Sequence, residues 1–163
     1  MAELPSPETD RRWLLEAIGL SRYCPPSTTA FSVGAVIVGP DGSVLGHGYS
    51  RERDPADHAE EVALARVVEA GVDAGTLAGS TLYSSLEPCA ARASRPVPCA
   101  DLIISSGIDR VVIAWREPPI FVPGGGAVRM RMAGLAVKVL PDLAAAAKAV
   151  NVHLLSGLAA LIA

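Results

Sequence analysis

Three stretches decide how this chain is read: Asp57-His58-Ala59-Glu60, Thr81-Leu82-Tyr83-Ser84-Ser85-Leu86-Glu87-Pro88-Cys89, and Pro98-Cys99. Strand-like residues over 80–84 lead to the Pro88 turn that carries Cys89, and helix-forming residues follow His58 and Cys99, so each donor falls where a helix starts. The donors are one imidazole, two thiols and a carboxylate left over. That inventory suits a catalytic zinc centre, with three protein ligands, an open fourth position for water and an acid/base beside it. Helix N-termini carry partial positive charge, which favours thiolate over thiol. Two thiolates and a neutral imidazole leave one Zn²⁺ per chain formally neutral, and zinc brings water toward a pKa of about 7. His58 and Glu60 do not share a helical face, yet at a helix start both can turn toward one metal. Read singly, His58 is a capping histidine, Glu60 a solvated carboxylate, and the cysteines core packing or a structural zinc pair. A structural site wants a fourth Cys or His. Cys24 precedes the first strand and His47 lies in mid-strand, so neither fills that place.

Outward from these stretches, residues 1–9 read as a flexible tail and residues 10–163 as one domain. Asp10 is expected to cap a helix through about Tyr23, which Pro25 and Pro26 end. Residues 31–38 and 43–49 form a hairpin around Gly39-Pro40-Asp41-Gly42. A helix runs from about His58 to Ala70, stopped by Gly71. Further strands are expected over 80–84, 110–115 and 135–140. Pro88 opens a short helical turn, Cys99 starts a helix ending at Gly107, and residues 127–133 form another. Asp142 caps one long last helix carrying Leu143, Val150, Leu154, Leu155, Leu158, Leu161 and Ile162, for the sheet or for a subunit interface. Alternating helices and strands predict an α/β layered domain.

The 163 residues are enough for one domain with a sizeable core, and half are apolar, which excludes disorder. The net charge of −3 and 4% aromatic content argue against a nucleic-acid partner held by phosphate contacts or base stacking. Three cysteines, two of them in the motif, suit a reducing cytoplasm better than a disulfide scaffold. The acidic, Pro-rich start is unlike a signal peptide, and no apolar run is expected to span a membrane.

The His-x-Glu and Pro-Cys pattern resembles that of the cytidine deaminase superfamily, over about residues 31–134. Tyr23-Cys24-Pro25-Pro26-Ser27 and Phe31-Ser32-Val33-Gly34-Ala35 are similar to the first hairpin of nucleoside-type cytidine deaminases. That likeness implies Phe31 lies beside the pyrimidine ring, with plain core packing as the alternative. The second half, from Thr81 to Cys89 and from Pro98 to Val112, is similar to the deaminase domain of riboflavin biosynthesis, which acts on a phosphorylated aminopyrimidine. Nine residues separate Cys89 from Cys99, where the common pattern is Pro-Cys-x-x-Cys. Within that gap, Ala90 to Pro98 lacks the branch's histidine pair and Gly-Arg-Thr run, and only Arg95 corresponds. Ala30-Phe31-Ser32 stands where that branch has an asparagine, and the loop from Pro118 to Gly126 differs as well.

The resemblance implies a three-layer cytidine-deaminase-like α/β domain with a central five-stranded mixed sheet flanked by helices. It implies His58, Cys89 and Cys99 as zinc ligands, Glu60 as the catalytic acid/base, and Phe31 near the substrate; the backbone around Ser84 to Glu87, with Ser84, Ser85 and Leu86, is expected to line the site because it precedes Cys89. Arg92 and Arg95 either hold a phosphate or carboxylate or are solvated loop residues. Gly124-Gly125-Gly126 either cradles an anion or is a flexible loop. His47, His153, Arg129 and Arg131 are expected to have no catalytic role. The expected function is hydrolytic deamination of a small aminopyrimidine or related heterocycle, phosphorylated or not, with release of ammonia. The alternatives are a cytidine-type nucleoside or nucleobase deaminase, and a non-catalytic zinc-binding assembly module, which would have no need of Glu60. An editing deaminase acting on nucleic acid is disfavoured by the acidic balance. The expected partners are a heterocyclic amine, water and further copies of the chain in a homo-oligomer (dimer or tetramer), with no nucleic acid and no membrane.

Overall fold

The computed structural model describes residues 3–121 and 124–162; Val122 and Pro123 of the Pro/Gly loop, and the side chains of Leu158, Leu161 and Ile162, lie outside the described set. The first helix, α1, spans Pro7–Ser21. Ser6 caps it by accepting from the Thr9 N–H, and Pro7 opens the first turn. Asp10 is therefore not the cap. It sits inside the helix, on the buried face with Leu14, Ala17, Ile18 and Ser21.

Five strands follow: β1 (Gly34–Val38), β2 (Val44–Tyr49), β3 (Thr81–Leu86), β4 (Arg110–Trp115) and β5 (Ala136–Val139), in the sheet order β2-β1-β3-β4-β5. β1 pairs antiparallel with β2 and β3, whereas β3–β4 and β4–β5 are parallel, so the sheet is mixed as expected. The strand expected from residue 31 begins only at Gly34. The backbone before it is engaged by side chains: Ser32 N–H by Asn151, Val33 N–H by Ser50, and Phe31 C=O by Arg51.

The remaining helices are α2 (Ala59–Glu69), α3 (Ala74–Ala78), α4 (Cys99–Ser106), α5 (Gly126–Met132), α6 (Ala144–Ala149) and α7 (Val152–Ile162). The single long C-terminal helix expected from Asp142 is instead a 3-10 turn, Pro141–Leu143, followed by α6 and α7. The break falls at Asn151. Its buried amide takes the Ser32 N–H at 2.7 Å and donates back to Ser32 C=O at 3.0 Å, as a neighbouring strand would. Leu143 and Leu154 are buried in the core.

Successive residues of a strand point to opposite faces, and β3 shows what lies on each. Tyr83 reaches Asp10 of α1, while Ser84 reaches Glu60 of α2. β2 lets α2 come close because it carries glycines on that side. A Cβ on Gly48 would stand 2.7 Å from Val62 Cβ and 2.8 Å from Ala59 C=O. The first turn of α2 is thereby pressed onto the sheet. Among the described residues no helix is long and apolar enough to cross a membrane.

Candidate active site

His58 is the N-cap residue of α2, in extended conformation, and its ring makes no capping bond. The imidazole is thus free to face the two sulfurs. His58 Nδ1 lies 3.6 Å from Cys89 Sγ and 3.5 Å from Cys99 Sγ, and all three donor atoms fall within 4.8 Å of one another. A tetrahedral zinc with Zn–S of about 2.3 Å and Zn–N of about 2.0–2.1 Å separates its nitrogen and sulfur ligands by about 3.5 Å. The spacing therefore fits a shared metal better than a hydrogen bond, and the three residues could hold one zinc ion.

Cys99 opens α4 behind Pro98. Cys89 was expected to open a helical turn of its own, but it lies on irregular backbone after β3. It borrows the N-terminus of α4 instead: the Cys99 N–H donates to Cys89 Sγ at 3.3 Å, and the Ala100 N–H to Cys89 C=O at 3.0 Å. The thiol of Cys89 is held down to about 4 by a hydrogen bond from Cys99, against its burial, with help from His58. Cys99 is pushed up by the same bond and by burial. Cys89 is thus favoured over Cys99 for ionisation, and a bound metal ion favours the thiolate of both.

Gly126 fixes this loop from behind. A Cβ there would stand 1.7 Å from Pro88 C=O. Gly125, at φ 119°, caps α5 in the left-handed region. Part of the Gly124-Gly125-Gly126 run is therefore explained by close packing and a turn.

Glu60 is 3% exposed and accepts from the Ser84 hydroxyl at 2.8 Å. Burial raises its pKa; His58 opposes the rise and the Cys89 sulfur adds to it. The same hydroxyl lies 2.7 Å from Leu86 C=O. A hydroxyl has one proton, so Ser84 can donate to ionised Glu60, or accept from protonated Glu60 while donating to Leu86.

Glu60, His58 and Cys89 open onto a cavity of about 440 Å³. Phe31 and Leu86 are on its wall. Phe31 is also core, packed edge-on against Trp115 at 5.2 Å and Phe121 at 5.1 Å. Ser84 stands behind Glu60 rather than on the wall, and Ser85 points to the opposite face, where it accepts from the Gly34 N–H. Arg92 is on the wall with its side chain only 2% exposed; it donates to Ala56 C=O, Glu61 and Cys99 Sγ. Arg95 lies off the wall and binds Asp54, Asp57 and Glu61. Arg129 bridges Asp101 and Ala90 C=O, and His153 meets Ser27 C=O.

Glu87 is on the wall, as expected of the stretch before Cys89, but Arg51, Asp57, Glu117 and Phe121, also on it, were not among the expected site residues. Glu117 follows β4 directly, at the carboxyl end of a parallel strand, where sites of such sheets collect; that was the available signal. Burial, then the negative Cys89, Glu60 and Glu87, pushes its carboxyl up to about 8. Arg51 adopts φ 60° and gives its guanidinium to Pro25 C=O, Phe31 C=O and Ser32 Oγ. No local pattern marks it.

The profile of the cytidine and deoxycytidylate deaminase zinc-binding region matches residues 7–115. A diaminohydroxyphosphoribosylamino-pyrimidine deaminase of Buchnera aphidicola is 36% identical over 131 residues, covering 80% of this chain and 83% of the relative. Its namesake in Schizosaccharomyces pombe is 38% identical, over 80% of this chain but 32% of the relative. The chain spans about a third of the length of that relative and of the next, the Aquifex aeolicus riboflavin biosynthesis protein RibD. The solved structure of Acinetobacter baumannii RibD superposes with a TM-score of 0.73 and 28% identity, over 91% of this chain and 40% of that one. With its donor set, its sheet order and these matches in agreement, the chain belongs to the zinc-binding cytidine and deoxycytidylate deaminase family.

Proposed function

We propose that this protein is a zinc-dependent hydrolytic deaminase of a small aminopyrimidine or related heterocycle. One observation carries the reading: a buried carboxylate, Glu60, beside the His58/Cys89/Cys99 group and open to the same cavity. A structural metal site has no use for such a group. When bound, zinc supplies the Lewis acidity that makes water a nucleophile near neutral pH. The chain's own residues then move protons. Glu60 takes one from the attacking water and passes it to the ring nitrogen; it then takes the proton of the added hydroxyl, which becomes the carbonyl, and delivers it to the departing ammonia as the C–N bond breaks. Ser84 satisfies Glu60 in both protonation states, so each transfer leaves no orphaned acceptor. Leu86 and Phe31 offer apolar surface to a flat ring.

The names of the Buchnera and fission-yeast relatives support a pyrimidine substrate. A cytoplasmic setting fits the free thiols, because oxidising Cys89 and Cys99 to one another would destroy the ligand set. A homo-oligomer is part of the proposal on the strength of the family resemblance, and sedimentation at micromolar concentration checks it, a monomer mass counting against it. The test of activity is zinc stoichiometry combined with ammonia release from a panel of aminopyrimidines. About one zinc per chain, and turnover lost on chelation and restored by zinc, are expected. Ammonia release from metal-free protein would overturn the reading.

A further inference from the structure

The cavity's charge inventory bears on which heterocycle it admits. Its described wall carries four carboxylates, Asp57, Glu60, Glu87 and Glu117, against two guanidinium groups, Arg51 and Arg92. The guanidinium donors of both are already engaged, those of Arg51 by neutral acceptors and those of Arg92 in part by a carboxylate. Every guanidinium nitrogen of Arg51 is donated to Pro25 C=O, Phe31 C=O or Ser32 Oγ. Arg92 uses Nε on Ser94, Nη2 on Ala56 C=O and Nη1 on Glu61 and Cys99 Sγ. Arg95, the other arginine of the inter-cysteine segment, is off the wall and held by three carboxylates. The acids are less fully engaged. Glu87 is 3% exposed, with Oε1 lacking a hydrogen bond among the described residues and Arg116 Nε 3.6 Å away. Buried Oε2 of Glu117 has no hydrogen-bond partner among the described residues.

We infer that the cavity selects an unphosphorylated heterocycle rich in amino groups and discriminates against its phosphorylated form. The inference rests on the deaminase reading and narrows its substrate class. Unpaired buried acceptors want donors, and exocyclic amino groups and ring N–H groups supply them. A phosphate wants free, forked cations, and here their donors are taken by backbone carbonyls and carboxylates. Freeing Arg92 for a phosphate would strip Glu61 and the ligand Cys99 of a donor. This chain would then take a substrate without the phosphate that the names of the Buchnera and fission-yeast relatives carry.

The test uses the zinc-loaded protein and matched pairs: diaminohydroxyphosphoribosylamino-pyrimidine with its dephosphorylated form, and cytidine 5′-monophosphate with cytidine. Ammonia release gives kcat/KM, and calorimetry with zinc-loaded Glu60→Gln gives Kd without turnover. The expected result is at least a tenfold preference for the unphosphorylated member of the pair that reacts. Added salt should lower KM for the phosphorylated form by screening repulsion, and Glu87→Gln should shrink the preference. Equal or better use of the phosphorylated member, with KM rising with salt, overturns the inference and leaves the deaminase reading standing. No ammonia from either member of any pair, with zinc bound, overturns the deaminase reading and this inference with it.

Discussion

Two buried carboxylates sit on opposite faces of one sheet, and they titrate in opposite directions. On the α1 face Asp10, with its side chain 0% exposed, receives hydrogen bonds from Tyr83, Arg110 and Lys138. Burial pushes its pKa up, but those three donors outweigh it and the net shift is downward. On the α2 face Glu60, 3% exposed, has Ser84 as its one side-chain donor among the described residues, and burial carries its pKa upward. Burial alone therefore does not set the outcome; the number of donors does. A saturated carboxylate holds structure together. A carboxylate left nearly alone beside a metal site is poised to give and take a proton.

Glu60→Gln should break the contrast most severely. The amide keeps the shape and can still meet Ser84, but it cannot carry a proton. Turnover should fall by about 10²–10⁴-fold, with zinc content unchanged. Stability should not fall, because a neutral group replaces one whose charge is costly to bury. Near-normal ammonia release from this variant would remove Glu60 from the mechanism.

Asp10→Asn should do the reverse, costing stability and leaving turnover per folded molecule intact. Removing one partner of a buried ion pair costs about 3–5 kcal/mol. Urea unfolding at pH 7 reads the loss. The pH dependence follows from the downward shift: the folded pKa lies below the unfolded value of about 3.9, so ionised Asp10 favours the fold. That contribution is complete above about pH 4 and vanishes as pH drops through the folded pKa. The gap between wild type and variant should therefore close in acid; a constant gap would mean that Asp10 is not ionised in the fold.

The two clusters were not equally legible in the sequence. His58, Glu60, Cys89 and Cys99 stand in a short ordered pattern at the ends of elements, and chemistry of that kind is local. The sheet, too, could be read from β-branched runs, and β4 begins and ends where the sequence places it. Asp10 was read as a helix cap because an acidic residue before an apolar run resembles one. What buries it is Arg110, a hundred residues on, and no local pattern encodes that pairing. Asn151 misled for the same reason, since its partner is Ser32 across the fold and the helix breaks to reach it. Arg92 and Arg95 were recognisable as cations near the metal. Their engagement by Glu61, Asp57 and Ala56 C=O depends on how the inter-cysteine loop folds back over α2.

Gly126→Ala tests whether the metal face depends on packing as tightly as the structural face does. The new methyl would drive into Pro88 C=O, so the Cys89 segment or α5 must move. Overpacking of this kind costs about 1–3 kcal/mol, and displacing a support of a metal ligand typically weakens metal binding about 10–100-fold. Zinc competition against a chelating dye reads the second effect directly. Unchanged zinc affinity would show that Cys89 is positioned by α4 alone.

The smallest and most discriminating change is at the adjacent serines of β3. Ser84 and Ser85 are both buried, yet the strand sends one to Glu60 and the other to the Gly34 N–H on the opposite face. Ser84→Ala takes from ionised Glu60 its only side-chain donor. A hydrogen bond to a charged group is worth about 1.5–3 kcal/mol, but water entering beside the alanine replaces part of it. A loss of about tenfold in kcat is expected, about 1.4 kcal/mol. The sign of the accompanying pH effect is fixed: losing a donor to the charged form raises the pKa of Glu60, so the acidic limb of the kcat profile should move to higher pH. Ser85→Ala should lower stability instead, because it orphans a buried N–H, and should leave that limb in place. If both variants move the limb equally, the two faces of the sheet are not electrostatically independent and the contrast between Asp10 and Glu60 has another cause. If only Ser84→Ala moves it, proton transfer belongs to one face of β3 and the other serves the fold.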